Sequence, residues 1–359
     1  MASVATFVAV KAGFVAALAA VVGAFPLAKL TAFDAGWYLT VINGGYHLEE
    51  QSNLAFFPLL PLLAKLPMAF GLSPQWALLT VAWVGSVVAV LGIHRVGTEL
   101  GSPAVGFWLA FCWAVAPRAH VQAMGYAEGW FTAFIAWGLW AMVTNRHLLA
   151  GAMGLLAGLT RAPSLVYVAV LGLWWLVGVL QHQRARDPSE RWQLDRLAAA
   201  LLGSMGFIAF WSYIAYRTGS FWGYLDVQEG WNSLTGSPAT HLIKLWQVVT
   251  GGLEGATWDE HGTSSIALVL VIVLVVIMIV SREHWLATSM VVLALLLTLV
   301  QQEYYHSKAR MLMPWFMVWL PVARWLARQA LWAAAVIGLV LAAVSIWWGV
   351  DGALYRYSP

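Results

Sequence analysis

The chain has 359 residues, of which 61% are hydrophobic and only 10% charged, with a formal net charge of +3. A soluble domain carries roughly 25% charged residues, so this composition excludes an ordinary soluble protein and points to a polytopic membrane protein. The basic residues are scattered singly, which excludes the basic stripe of a nucleic-acid-binding surface.

A hydrocarbon core of about 30 Å needs about 20 apolar residues per crossing. Apolar runs near that length fall at 4–24, 76–94, 103–117, 127–144, 148–160, 163–180, 197–216, 263–281, 286–300, 311–327 and 330–349. They predict an all-α bundle of about eleven transmembrane helices, forming one integral membrane domain over 1–359. The first run has no basic segment before it and no cleavage site after it, so it is read as a retained helix rather than a signal peptide. The stretch 55–72 is also apolar, but Pro58, Pro61, Pro67 and Lys65 predict a kinked, partly interfacial segment instead of a twelfth crossing. Cys112 is the single cysteine, so no internal disulfide forms.

An inside N-terminus leaves two long outer loops, 25–75 and 217–262. It places Arg95, Arg146, Arg184, Arg186, Arg191, Arg196, Arg282, Arg324 and Arg328 on the inner side. The outer side carries as many bases but more acids, among them Asp34, Glu128, Asp226, Glu229 and Glu303. The inner stretch 181–196 reads as a solvated turn. Gly154 and Gly158 form a small-xxx-small pair, a signal for close helix packing with no functional weight.

No phosphate-binding loop and no strand followed by G-x-G-x-x-G is present, which argues against an ATP-driven pump or a Rossmann-type nucleotide-sugar enzyme. The histidines show no H-x-x-x-H or H-E-x-x-H spacing. Asp259, Glu260 and His261 are the nearest approach to a metal cluster, yet adjacent side chains point apart, so no metal is expected.

Ionisable groups at membrane depth usually face a cavity or a partner. Asp34 follows the first helix, Glu128 opens the fourth, Arg161 sits between two helices, and Glu303, His306, Lys308 and Arg310 precede the tenth. With an inside N-terminus all of them map to the outer face, where they can converge on one cavity. Asp34 stands out as the only acid before residue 49. A carboxylate can take a proton from an attacking hydroxyl, and arginine offers a fixed fork of donors to phosphate. Together with aromatic faces for sugar rings, the set suits a transfer reaction with an anionic leaving group.

The segments "FDAGWYLTVINGGY" and "AFFPLLPLL" resemble the opening signature of the PIG-V-like mannosyltransferases, a branch of the GT-C membrane glycosyltransferases. "YAEGWF", "AGLTRAPS" and "KARMLMPWF" follow in that family's order, spanning residues 33 to 316. Two departures fall at Ala162, where the family has proline after the arginine, and at Met311, where it has an aromatic. The resemblance implies a GT-C bundle with a long first outer loop and a polyprenyl-phosphate mannose donor used on the outer face of a bacterial plasma membrane. It further implies an inverting transfer to a glycolipid or lipoglycan acceptor, with Asp34 as base. Arg310, Arg161, His306 and Lys308 would then hold the donor phosphate, and Trp37, Tyr38, Glu128 and Tyr126 the substrate. No cofactor is implied beyond the lipid-linked donor.

Two other readings fit the residues. One is a GT-C transferase for another sugar, including arabinosyl-, glucosyl- and protein O-mannosyltransferases. The other is a secondary transporter or flippase for an amphipathic lipid, which inverted repeats and broken midplane helices would favour and which the sequence does not show. A non-catalytic assembly subunit is disfavoured by the retained acid in "FDAGWYL".

Overall fold

A computed structural model describes residues 1–48, 52–185, 191–231, 243, 246–247, 250, 262–301 and 305–354. Glu303, the Asp259–His261 stretch and most of the second outer loop therefore lie outside the described residues. Those described form an all-helical bundle, and helices occupy ten of the eleven predicted runs: α1 (Ala2–Val22), α5 (Pro74–Leu100), α6 (Pro103–Ala114), α7 (Glu128–Val143), α8 (His147–Gly158), α9 (Ser164–Ala185), α10 (Arg191–Thr218), α12 (Thr263–Val280), α13 (Trp285–Val300) and α16 (Leu331–Leu354). Five helices, namely α1, α5, α9, α10 and α16, are long and apolar enough to cross a membrane.

The tenth run differs from expectation. Instead of a helix over 311–327, the chain makes a one-turn α14 (Lys308–Leu312), a 3-10 turn at Phe316–Trp319, and a short α15 (Leu320–Leu326). Pro314 and Pro321 lack the N–H that a continuous helix would need at those points. As a result Arg310 rides on a separate turn rather than on the end of a spanning helix.

The first outer segment contains α2 (Leu27–Leu30), α3 (Asp34–Gly44), a 3-10 turn at Asn53–Ala55, and α4 (Leu59–Ala69). At 11 residues α4 is about 16 Å long, too short to cross a bilayer. The buried Asn53 ties this segment together, accepting from the His47 amide at 2.9 Å and donating to the Gly45 carbonyl at 2.9 Å. A second small core, including Leu54, Phe57, Phe210 and Tyr224, joins this segment to α10 and to α11 (Gly223–Gly230).

Helices approach closely where glycine permits. A methyl group on Gly154 would stand 2.8 Å from the Gly203 Cα, and one on Gly158 2.5 Å from the Phe207 amide. The predicted pair on α8 thus meets a matching stripe on α10, where a Cβ on Gly206 would collide with the Leu155 carbonyl. Gly206→Ala is expected to lose about 1–3 kcal/mol through forced separation of the two helices, read as a lower unfolding midpoint in detergent.

At the opposite end of the bundle from Asp34, an ion pair pins the helix ends. Arg324 donates to both carboxylate oxygens of Glu283 at 2.9 and 3.1 Å and to the Leu100 carbonyl at 2.7 Å. Within the membrane, Lys11 is buried on α1 and donates to the carbonyls of Ala114 and Ala119 at 2.7 and 2.8 Å, which fixes the turn that follows α6.

Candidate active site

Four charged residues, distant in sequence, meet where several helix ends converge. Asp34 begins α3 after Phe33, whose φ of 56° is left-handed and uncommon for a bulky residue. A carboxylate in a first helical turn is favoured by the helix dipole. Glu128 opens α7 in the same way. Arg161 lies in the turn between α8 and α9, and Arg310 on α14.

Arg310 makes the central contact. Its Nη1 lies 2.9 Å from Asp34 Oδ2, its Nε 3.4 Å from Glu128 Oε1, and its guanidinium 5.3 Å from the centre of the Tyr126 ring. Glu128 Oε1 also pairs directly with Arg161 Nη1. Two acids and two arginines thus form one charge-balanced chain in the order Asp34, Arg310, Glu128, Arg161. Burial opposes a charge on Arg310, but Asp34 and Glu128 outweigh it and hold the guanidinium firmly protonated.

Exposure distinguishes the roles open to the four. The Glu128 side chain is 2% exposed and that of Asp34 22%. Asp34, Arg161 and Arg310 line a cavity of about 290 Å³, whereas Glu128 lies beneath it, holding both arginines in place. Aromatic rings make up much of the remaining wall. Trp37 and Tyr38 follow Asp34 by three and four residues, hence on the same face of α3. Trp37 stacks on Phe56 at 5.9 Å and meets Trp231 edge-on at 5.0 Å. Burial pushes the Tyr38 phenol well up, so it stays a neutral O–H.

Five of the nine candidate residues from the sequence line this cavity: Asp34, Arg161, Arg310, Trp37 and Tyr38. Tyr126 and Glu128 pack below it. Lys308 and His306 are not on its wall. Lys308 is fully buried and donates to the Gln301 carbonyl at 2.6 Å, while the His306 carbonyl accepts from Ser264 at 2.7 Å. Phe56, from the "AFFPLLPLL" segment, also lines the cavity, as do Gln228 and Trp231, which nothing in the sequence singles out. Trp231 follows α11 and is fixed by an indole N–H donated to the Ser52 carbonyl at 3.0 Å, a contact that only the folded outer segments create. Among the described residues, no three His, Cys, Asp or Glu side chains are grouped to hold a metal ion.

No protein-family model matches the sequence, and no curated protein matches it either. Solved structures do. ArnT from Cupriavidus metallidurans, determined both bound to undecaprenyl phosphate and in the apo state, superposes with a TM-score of 0.55 at 14% identity, over 86% of this chain and 57% of ArnT. The chain has the fold of ArnT. A weaker likeness, with a TM-score of 0.47 at 12% identity, is to the Archaeoglobus fulgidus oligosaccharyltransferase, over 90% of this chain and 48% of that one. The chain thus spans a little over half the length of ArnT. Its long apolar helices, in a fold shared with ArnT, make it an integral membrane protein.

Proposed function

We propose that this protein is a membrane glycosyltransferase that moves mannose from polyprenyl-phosphate mannose to a glycolipid or lipoglycan acceptor on the outer face of a bacterial plasma membrane. One observation carries the reading: a carboxylate and two arginines share the wall of one cavity with several aromatic rings. The ArnT structure with undecaprenyl phosphate supports a lipid-phosphate ligand for this fold. The mannose donor rests on the resemblance of "FDAGWYL" and "FFPLLPLL" to the PIG-V-like enzymes.

In this reading Asp34 takes the proton from an acceptor hydroxyl. The oxygen attacks the anomeric carbon, the bond from that carbon to the phosphate oxygen breaks, and the configuration inverts. Arg310 and Arg161 stabilise the negative charge that grows on the departing polyprenyl phosphate, in geometry already set by Glu128. A neutral Tyr38 donates or accepts a hydrogen bond to a sugar hydroxyl without competing as a base.

The test is product formation by purified protein in detergent, given polyprenyl-phosphate mannose and envelope glycolipids and read by mass spectrometry. A hexose added to a glycolipid is expected. Transfer of a different sugar would keep the fold's chemistry and reject mannose, and donor movement across vesicles with no new glycosidic bond would favour a flippase. With an acceptor in hand, Trp231→Ala is expected to raise the acceptor KM roughly tenfold through loss of the aromatic wall, with the donor KM little changed in steady-state kinetics.

A further inference from the structure

Ser307 ends a 3-10 turn, Tyr305–Ser307, and directly precedes α14. The chain on both sides of it is tied down. The Tyr305 hydroxyl shares a hydrogen bond of 2.9 Å with Ser265 Oγ, the His306 carbonyl accepts from Ser264 Oγ at 2.7 Å, and Lys308 Nζ donates to the Gln301 carbonyl at 2.6 Å. Both serine partners sit in the first turn of α12. Ser307 is thus held in place by its neighbours, while its own hydroxyl takes no part. The residue is 1% exposed and its Oγ makes no hydrogen bond, a costly state for a buried polar atom that nothing else matches.

The position of that hydroxyl bears on the Asp34 cavity. Ser307 lines it, and so do Arg310 and Met311, three and four residues further on, the spacing that brings side chains to one face of a helical turn. The charges at this site are already balanced, Asp34 and Glu128 against Arg310 and Arg161. Among the described residues the cavity wall holds no third cation, so a phosphate that enters adds negative charge which only uncharged donors remain to meet. A serine hydroxyl carries one O–H, and its bond to an ionised oxygen is short and strong.

We infer that Ser307 is a further donor-binding residue, whose hydroxyl, turned into the cavity about its Cα–Cβ bond, donates to a phosphate oxygen of the polyprenyl-phosphate ligand beside Arg310. The inference rests on the lipid-phosphate reading given above and adds to it a residue without charge. The serine keeps its proton throughout transfer. Its hydrogen bond strengthens as charge gathers on the departing phosphate, which places it with the arginines rather than with the base.

The test measures equilibrium binding of undecaprenyl phosphate and of undecaprenol, which lacks the phosphate, to the full-length protein in a neutral detergent. Wild-type protein is expected to prefer the phosphate. Ser307→Ala should weaken binding of undecaprenyl phosphate roughly tenfold or more and leave undecaprenol unchanged, and Ser307→Thr, which keeps a hydroxyl, should restore most of the loss. The unfolding midpoint of ligand-free Ser307→Ala should stay level or rise, because no native hydrogen bond is removed. Full phosphate affinity in Ser307→Ala, an equal loss for both lipids, or a clearly lowered midpoint would overturn this inference alone. A wild-type protein that does not distinguish the two lipids would overturn the lipid-phosphate reading and this inference with it.

Discussion

Replacing Asp34 by asparagine is expected to lower sugar transfer by about 10²–10⁴-fold, the range typical for removal of a general base, while leaving the protein folded. The two side chains have nearly the same shape, but the amide cannot accept the hydroxyl proton as the new bond forms. The substitution also removes one of the two acids paired with Arg310. Arg310 keeps Glu128 as a partner, so the arginine pair should stay in place and donor binding should survive. The discriminating measurement is kcat together with donor affinity. A large fall in kcat at nearly unchanged affinity is predicted, and near-normal turnover would remove Asp34 as the base.

Glu128→Ala should have the larger effect on stability. Glu128 is almost completely buried and is the single oxygen-bearing bridge between Arg161 and Arg310. Removing it leaves two mostly buried guanidinium groups with one carboxylate, Asp34, paired to only one of them. Breaking a buried charge pair from one side costs about 3–5 kcal/mol, because the remaining charge stays desolvated. Denaturant or thermal unfolding in detergent should show a loss of that order. Transfer should fall as well, since both arginines lose their orientation. Glu128→Gln should be milder, because the amide oxygen can still accept from one arginine. If Glu128→Ala retained full stability, water or a shifted side chain must already satisfy both arginines, and Glu128 would not be what organises them.

Much of this site is legible in the amino-acid sequence, and the reason is energetic. Charges within an apolar chain are costly unless they find partners, so Asp34, Glu128, Arg161 and Arg310 are visible as exceptions. Helix counting then assigns them to one face, and the fold joins them into one chain of ion pairs. The order of that chain is not visible in sequence, and neither is the difference between Asp34 on the cavity wall and Glu128 beneath it. Lys308 and Arg310 look equivalent from spacing alone. They separate because a one-turn helix ahead of Pro314 sends Arg310 to the two acids and Lys308 to the Gln301 carbonyl. Trp231 is hidden for a different reason. It is one of 23 tryptophans, and only the docking of α11 against the first outer segment marks it out. Prolines mark the short helix within 55–72, whereas at 311–327 the long apolar run masks the breaks that Pro314 and Pro321 impose.

Phe33 illustrates how local strain supports the arrangement. Its left-handed backbone turns the chain sharply into α3, and such conformations persist only where surrounding structure holds them. That turn sets Asp34 at the start of the helix, with Trp37 and Tyr38 one turn further along the same face. The Asp34 carboxylate and two of the aromatic rings are therefore placed by a single short helix, and the arginines come to it from two other elements.

The most direct measurement is an experimental structure of the protein with a polyprenyl phosphate bound. The phosphate is predicted to lie in the 290 Å³ cavity within hydrogen-bonding distance of Arg310 or Arg161, with Asp34 facing the space where a sugar would sit. A phosphate bound elsewhere, with Asp34 and the two arginines making no contact to the ligand, would contradict the account.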